Sequence, residues 1–188
     1  MSSHHIVKEE QEPALLVQDF GALSRDILDQ LLEWSPTVIV DDYNLDFLLS
    51  EEIKVDIVFS SRELNSLQEQ TRIFPLVGGS FLETALSYLV ANGYHAVNII
   101  CSRVESVISR FAFTINIVAL CDDKRYVFVH DFYEKWKPKG DRMYVDTKCL
   151  ESYEGLSPID EGTFETEKDG FFRMIFNTKD SVCIGEDI

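Results

Sequence analysis

Basic residues are scarce in this sequence. Lysine and arginine number 17 against 33 aspartates and glutamates, a formal net charge of −16 over 188 residues. A nucleic-acid surface neutralises phosphates with a basic face, and anionic membranes attract basic stretches, so neither partner is expected. Long apolar runs are missing as well. No stretch approaches the roughly 20 residues that span a bilayer. The polar, charged stretch Met1 to Pro13 lacks the apolar segment of a secretory signal, and the expected location is the cytoplasm. Cysteine is sparse: Cys101, Cys121, Cys149 and Cys183 form no C-x-x-C pair, and three of them lie in apolar, strand-like runs. They read as buried free thiols in a reducing compartment, and a metal site built from them is not expected. Several catalytic signatures are absent too. There is no G-x-S-x-G elbow, no P-loop lysine after Gly78-Gly79, and no cysteine in a nucleophile context.

What the sequence does contain is an alternation of two periods. ALLV (Ala14 to Val17), TVIV (Thr37 to Val40), KVDIVF (Lys54 to Phe59), RIFPL (Arg72 to Leu76), HAVNIIC (His95 to Cys101) and FTINIVAL (Phe113 to Leu120) are apolar and strand-like. Between them lie helical stretches. Leu23, Ile27, Leu31 and Trp34 repeat at helical spacing before Ser35-Pro36. Asn44 to Ser50, Arg62 to Gln70 and Glu105 to Phe111 are further helix candidates. Ser80 with Glu83 has capping-box spacing, and Asn92-Gly93 ends that helix. Strands alternating with helices predict a parallel sheet covered on both faces. After Asp122-Asp123 helical periodicity stops. Short runs such as RYVFVHDF, RMYVDTK, GTFETE, FFRMIFN and SVCIG, separated by turn clusters, predict an antiparallel β region. The expected organisation is an α/β domain over 1–122 and a small β lobe over 123–188.

Few residues stand out chemically. Val77 to Ser80 precedes a helix, where an anion cradle competes with a plain loop and cap. His95 and His130 sit in or beside strands and read as exposed or internally satisfied. Metal binding by His4-His5, in the polar N-terminal stretch, is an alternative there. Asp41-Asp42 ends the TVIV strand, the edge where open α/β sheets bind ligands. A carboxylate there suits Mg²⁺ on phosphates, or serves as a turn residue.

Three blocks resemble thiamine pyrophosphokinases, specifically one bacterial branch. They are SSHHIVKEEQEPALL with LLEWSPTVIVDD behind it, EEIKVDIVF, and IVALCDDKRYVFVHDFYEKWKPKG (Ile117 to Gly140) with its Glu134-Lys135-Trp136 triplet. The resemblance covers most of Met1 to about Leu150. It implies an α/β kinase-like domain, a β-sandwich lobe and a homodimer with active sites between subunits. It also implies Mg²⁺-assisted pyrophosphoryl transfer from ATP to thiamine.

Carried over residue by residue, the resemblance implies a depleted site. The family's Asp-Gly-Gly or Asp-Gly-Ala motif falls on Asp42, Tyr43 and Asn44, with Tyr43 filling space that small residues keep open. The Gly-Asp-Phe-Asp motif falls on Ser60, Ser61, Arg62 and Glu63, with Arg62 where a metal belongs. The Lys-Thr-Asp or Lys-Glu-Asp start of the next helix falls on Gly79, Ser80 and Phe81, after which Leu82 and Glu83 continue the pattern. Arg103 matches the arginine of a Gly-Arg-x-Asp-His segment whose Asp-His pair has no counterpart here, and the thiamine-contacting Ser-Asn segment is absent. The relict cleft positions are thus Asp42, Asp56, Ser61, Glu63, Glu83 and Arg103. Losing metal-holding acids removes several kcal/mol of transition-state stabilisation.

Three readings follow. The leading one is a non-catalytic relative that keeps the fold, with residual binding of nucleotide or thiamine. The second is a divergent active enzyme using Asp42, Asp56, Glu63 and Glu83 as a rearranged acidic cluster with Mg²⁺ and ATP. The third is a protein-interaction or regulatory module on the same scaffold. Its contact surface is the aromatic stretch Phe128, Phe132, Tyr133 and Trp136, unless that stretch packs within the chain or in a dimer.

Overall fold

Strand β1 (Ala14–Val17) is apolar on both faces because helices cover it from both sides. Ala14 and Leu16 enter one core, Leu15 and Val17 another. The computed structural model describes residues 12–64, 68, 70–76 and 78–188. After β1 come a short 3-10 turn (Phe20–Ala22), α1 (Arg25–Leu32), β2 (Val38–Asp41), α2 (Leu45–Ser50), β3 (Ile57–Ser60) and β4 (Arg72–Pro75). Then follow α3 (Phe81–Ala91), β5 (Ala96–Ile100), α4 (Val107–Phe111) and β6 (Asn116–Cys121). These strands run parallel in the order β6-β5-β1-β2-β3-β4. Helices α1 and α2 lie on one face, α3 and α4 on the other.

The chain reverses at Asp122-Asp123. Both residues have positive φ (49° and 59°), the two-residue conformation whose twist suits a hairpin. Strand β7 (Lys124–Val129) therefore pairs antiparallel with β6, Cys121 opposite Lys124. The remaining strands are β8 (Phe132–Lys137), β9 (Arg142–Val145), β10 (Leu150–Glu154), β11 (Leu156–Asp160), β12 (Thr163–Thr166), β13 (Gly170–Phe176) and β14 (Val182–Asp187). The large sheet continues from β7 through β14, β9 and β12 to β11, eleven strands in all, while β10, β13 and β8 form a separate three-stranded sheet. A third core, containing Met143, Phe164, Phe172, Met174 and Ile184, fills the space between the two sheets. The expected parallel α/β part followed by an antiparallel β lobe is thus what the chain builds. The outer strands of the large sheet, β4 and β11, carry Pro75 and Pro158, which blunt them against further pairing.

Local signals explain most elements. Ser80 Oγ accepts from Glu83 N at 3.2 Å and caps α3. Gly93, with φ +77°, closes that helix and lets Tyr94 N–H reach Leu89 O at 3.0 Å. Three expectations need correction. The first helix begins at Arg25 and leaves Leu23 outside it, because Asp19 caps a separate turn over Phe20–Ala22 that ends at Leu23. Its inward stripe is Leu28, Leu31 and Leu32, and Trp34 lies past its end, exposed. Strand β3 starts at Ile57, later than Lys54. The described residues between Arg62 and Gln70 are not helical; Leu64 packs against the second core, and the Gln68 side chain instead bonds Val55 N and Ile53 O. The rest of that stretch, like His4-His5 and Val77, lies outside the described residues.

Candidate functional site

In a parallel sheet with helices on both faces, the strands' carboxyl ends converge on one edge, where loops present side chains to a ligand. Here that edge carries Gln18 and Asp19 after β1, Asp42 after β2, Ser60 and Ser61 at the end of β3, Gly78-Gly79 before α3, and Arg103 and Glu105 after β5. The chain travels outward from β1 to β4 and then returns to β5 on the other side of β1, so the strand order reverses between β1 and β5.

Asp41 is a turn residue. Its Oδ1 accepts from Asn44 N (2.9 Å) and Asn44 Nδ2 (3.0 Å), and Asn44 Nδ2 also reaches Gln18 O at 3.0 Å. Asn44 thereby ties the β2–α2 loop to the end of β1. Asp42 points the other way. Its Oδ2 accepts from Ser60 Oγ (2.9 Å), Ser61 N (3.1 Å) and Ser61 Oγ (3.2 Å), and Arg62 Nε lies 3.6 Å away. Arg62 also donates to Asp42 O at 3.1 Å, and its own N–H bonds Ser60 Oγ at 3.1 Å. Partial burial pushes the Asp42 carboxyl up, but the Ser60 and Ser61 hydrogen bonds and the Arg62 charge outweigh it, and the net shift is downward. Tyr43, beside Asp42 at this edge, is 87% exposed.

The other expected positions scatter. Ser61 joins Asp42. Glu83 stands in the first turn of α3, paired with Arg110 at 3.0 Å. Glu63 and Arg103 are exposed. Asp56 precedes β3, at the opposite edge. Its carboxylate accepts from Val38 N at 2.9 Å and from Lys54 Nζ at 2.5 Å. Four residues at ~3.3 Å rise separate its level from that of Ser60, so Asp56 and Asp42 do not share a cluster. Asp56 instead lines a cavity of about 340 Å³ with Arg25, Leu32, Pro36, Glu51 and Ile53. Among the described residues no group of three or more His, Cys, Asp or Glu side chains is placed to hold a metal ion.

What meets at the β1–β5 reversal carries no local signal. Gln18 Nε2 donates to Glu105 Oε1, 87 positions away, at 2.5 Å, while Gln18 Oε1 is buried and has no partner among the described residues. Beneath lies Cys101, fully buried, its thiol pushed up to about 12 by burial and by neighbouring Cys121. All four cysteines are free, and burial raises each thiol. His95 is exposed. His130 stacks on Phe113 at 3.9 Å and lies 3.5 Å from Ala112 O, with Nδ1 buried and unpaired among the described residues. No helix among the described residues is long and apolar enough to cross a membrane.

No protein-family model matches this sequence, and no curated protein matches it. Solved structures do match. The thiamin pyrophosphokinase of Geobacillus thermodenitrificans superposes with a TM-score of 0.66 at 10% identity, over 94% of this chain and 98% of that one. Yeast thiamin pyrophosphokinase gives 0.65 at 8%, over 94% and 86%. A probable thiamine pyrophosphokinase of Staphylococcus saprophyticus gives 0.59 at 15%, over 94% and 98%. Across nearly its whole length, this chain has the fold of the thiamine pyrophosphokinases.

Proposed function

We propose that the chain is a thiamine pyrophosphokinase-like protein that does not transfer pyrophosphate, and that its carboxyl edge retains binding of thiamine or nucleotide. The observation that carries the reading is Asp42. Moving a pyrophosphoryl group from ATP requires Mg²⁺ held against the phosphates by carboxylates. Asp42 is the acid that persists at the family's second-strand position, and its Oδ2 is already bonded by Ser60 and Ser61 with the Arg62 guanidinium alongside. A divalent ion would have to displace two hydroxyl-bearing residues and settle beside a fixed cation. The residues present therefore do not fit Mg²⁺. Phe81 supports the same reading. At a position where the family resemblance expects an acid, it is buried and packs on Phe59, ring centroids 6.2 Å apart. Four free thiols suit a reducing cytoplasm.

The test is direct. Incubated with thiamine and Mg·ATP, the protein is expected to form no thiamine diphosphate above background; steady product formation would overturn the non-catalytic reading. Thermal denaturation tests the binding half. Thiamine, or nucleotide without metal, at ~100 times its dissociation constant adds about 2.7 kcal/mol, a rise of roughly 5–10 °C for a chain of this size. An unchanged Tm with each ligand would remove binding from the proposal.

A further inference from the structure

Trp34 follows the end of α1 and is 71% exposed, although α1 turns Leu28, Leu31 and Leu32 inward. The next residue, Ser35, has φ +51°, a conformation uncommon outside glycine. Ser35 N–H bonds Leu32 O at 2.9 Å, and this turn leads the chain to buried Pro36 and into β2. The indole is thereby left as one wall of a cavity of about 300 Å³. Leu15, Leu31 and Pro36 are among its other walls, and Glu12 and Asn98 are its polar groups. Asn98 on β5 lies opposite Leu15 on β1. Its neighbours Val97 and Ile99 turn to the first core, so Asn98 shares the face of the sheet that α1 covers. The cavity lies at the start of β1 and β2, roughly 20 Å along the strands from Asp42. It is therefore separate from the carboxyl edge.

We propose that this cavity binds a small organic cation of the alkylated-ammonium class. Its walls select the charge. Glu12 is the one ionisable group that lines it, and no lysine or arginine does. An anionic ligand would meet that carboxylate and a chain at −16 overall. A metal ion would find a single carboxylate among apolar walls. A neutral apolar guest would strip water from Glu12 and return nothing to it. An alkylated ammonium suits every wall. Its charge faces Glu12 and the Trp34 ring, tryptophan being the strongest cation–π partner. Its methyl groups lie against Leu15, Leu31 and Pro36, and the Asn98 amide pairs a polar group on the ligand's tail. The neighbouring cavity of about 340 Å³ shares Pro36 but is balanced internally: Arg25 pairs with Glu51, and Lys54 with Asp56. The cation site and the reading of the carboxyl edge are independent, and either can fail without the other.

A Trp136→Phe variant leaves Trp34 as the single tryptophan, so its emission reports the cavity directly. Titration with choline or tetramethylammonium at constant ionic strength should give a saturable change. The uncharged isostere of choline, with a tert-butyl group in place of the trimethylammonium, should bind about fivefold more weakly. Adding Glu12→Gln should weaken choline binding about threefold. Trp34→Leu in the otherwise native chain, followed by calorimetry, should weaken it about fivefold. Both tryptophans are more than half exposed, so each variant is expected to keep the fold, and an unchanged far-UV spectrum checks this. Choline carries neither the rings of thiamine nor a phosphate, so its titration reads this cavity and not the carboxyl edge. Trp34 emission unmoved by either cation, an equal response to the uncharged isostere, or choline affinity undiminished by Trp34→Leu would each overturn the proposal.

Discussion

Replacing Glu186 with alanine is expected to destabilise the fold by about 3–5 kcal/mol, a fall in Tm on the order of 10 °C. Glu186 lies near the end of β14, facing the three-stranded sheet, with its side chain 3% exposed. Lys135 Nζ is 2.5 Å from Oε2 and Lys137 Nζ 3.1 Å, while Tyr133 Oη donates to Oε1. Arg125 Nη1 lies 4.0 Å away. The carboxylate is thus the counter-charge for two lysines between the sheets, and removing it leaves them, among the described residues, only the Lys137–Asp141 ion pair at 3.1 Å. Glu186→Gln keeps the volume and the Tyr133 bond, so it should fall between wild type and alanine. Replacing the whole group, Glu186→Leu with Lys135→Met and Lys137→Met, should recover most of the loss, because a well-packed apolar group is often as stable as a buried ion cluster. Denaturant titration followed by circular dichroism measures all three. An alanine variant within about 1 kcal/mol of wild type would mean that water, not the lysines, satisfies this carboxylate.

The same group shapes the pH dependence. Burial pushes the Glu186 carboxyl up, but hydrogen bonds from Lys135, Tyr133 and Lys137 outweigh it, leaving it below its ordinary value. Asp42 is lowered in the same way. A carboxyl lowered in the folded state contributes stability that is complete above the unfolded values, ~4.3 for Glu and ~3.9 for Asp, and is lost as pH falls through the folded ones. For Lys137, burial lowers the ammonium pKa, but Asp141 and Glu186 outweigh it and raise it. That contribution is complete below ~10.4 and is lost as pH rises through the folded value. Tm should therefore be flat near neutrality and fall toward both extremes. Glu186→Gln should flatten the acid limb.

The legible part of this fold is the part written in short-range pattern. ALLV, TVIV and HAVNIIC announce strands buried on both faces because neighbouring residues must all be apolar there. Asp122-Asp123 marked the change of texture, and its two positive φ angles make the hairpin at which parallel pairing gives way to antiparallel. What escaped reading depends on distant contacts. Nothing local says that Gln68 will bond Val55 and Ile53 instead of joining a helix, or that Asp56 will close the start of β2 at the far edge from Asp42. The site was half legible. Of the positions the resemblance implies, Asp42, Ser61 and Arg62 lie together, whereas Gln18 and Glu105 meet only because the chain returns to β5 beside β1. The aromatic stretch divides by register. Phe128 packs on the first core and Tyr133 on the third, while Phe132 and Trp136 face outward.

The sharpest test of that register is a pair of adjacent phenylalanines. Phe172→Ala is expected to cost about 3–5 kcal/mol, whereas Phe171→Ala should stay within about 0.5 kcal/mol of wild type. Composition cannot distinguish the two residues, since both stand in the run GFFRMIF. Alternation along β13 does: Phe172, Met174 and Phe176 point into the core, while Phe171, Arg173 and Ile175 point out. Phe172 is 1% exposed and meets Tyr133 edge-on, ring centroids 5.8 Å apart. Its loss opens a ring-sized void between two sheets held apart by their other side chains, so the site collapses poorly and the loss stays near the upper end. Urea denaturation of both variants gives the comparison. Were Phe171→Ala the costlier change, β13 would be shifted by one residue against β8. Every side chain of that strand would then change faces, and the third core would lose Phe172, Met174 and Phe176.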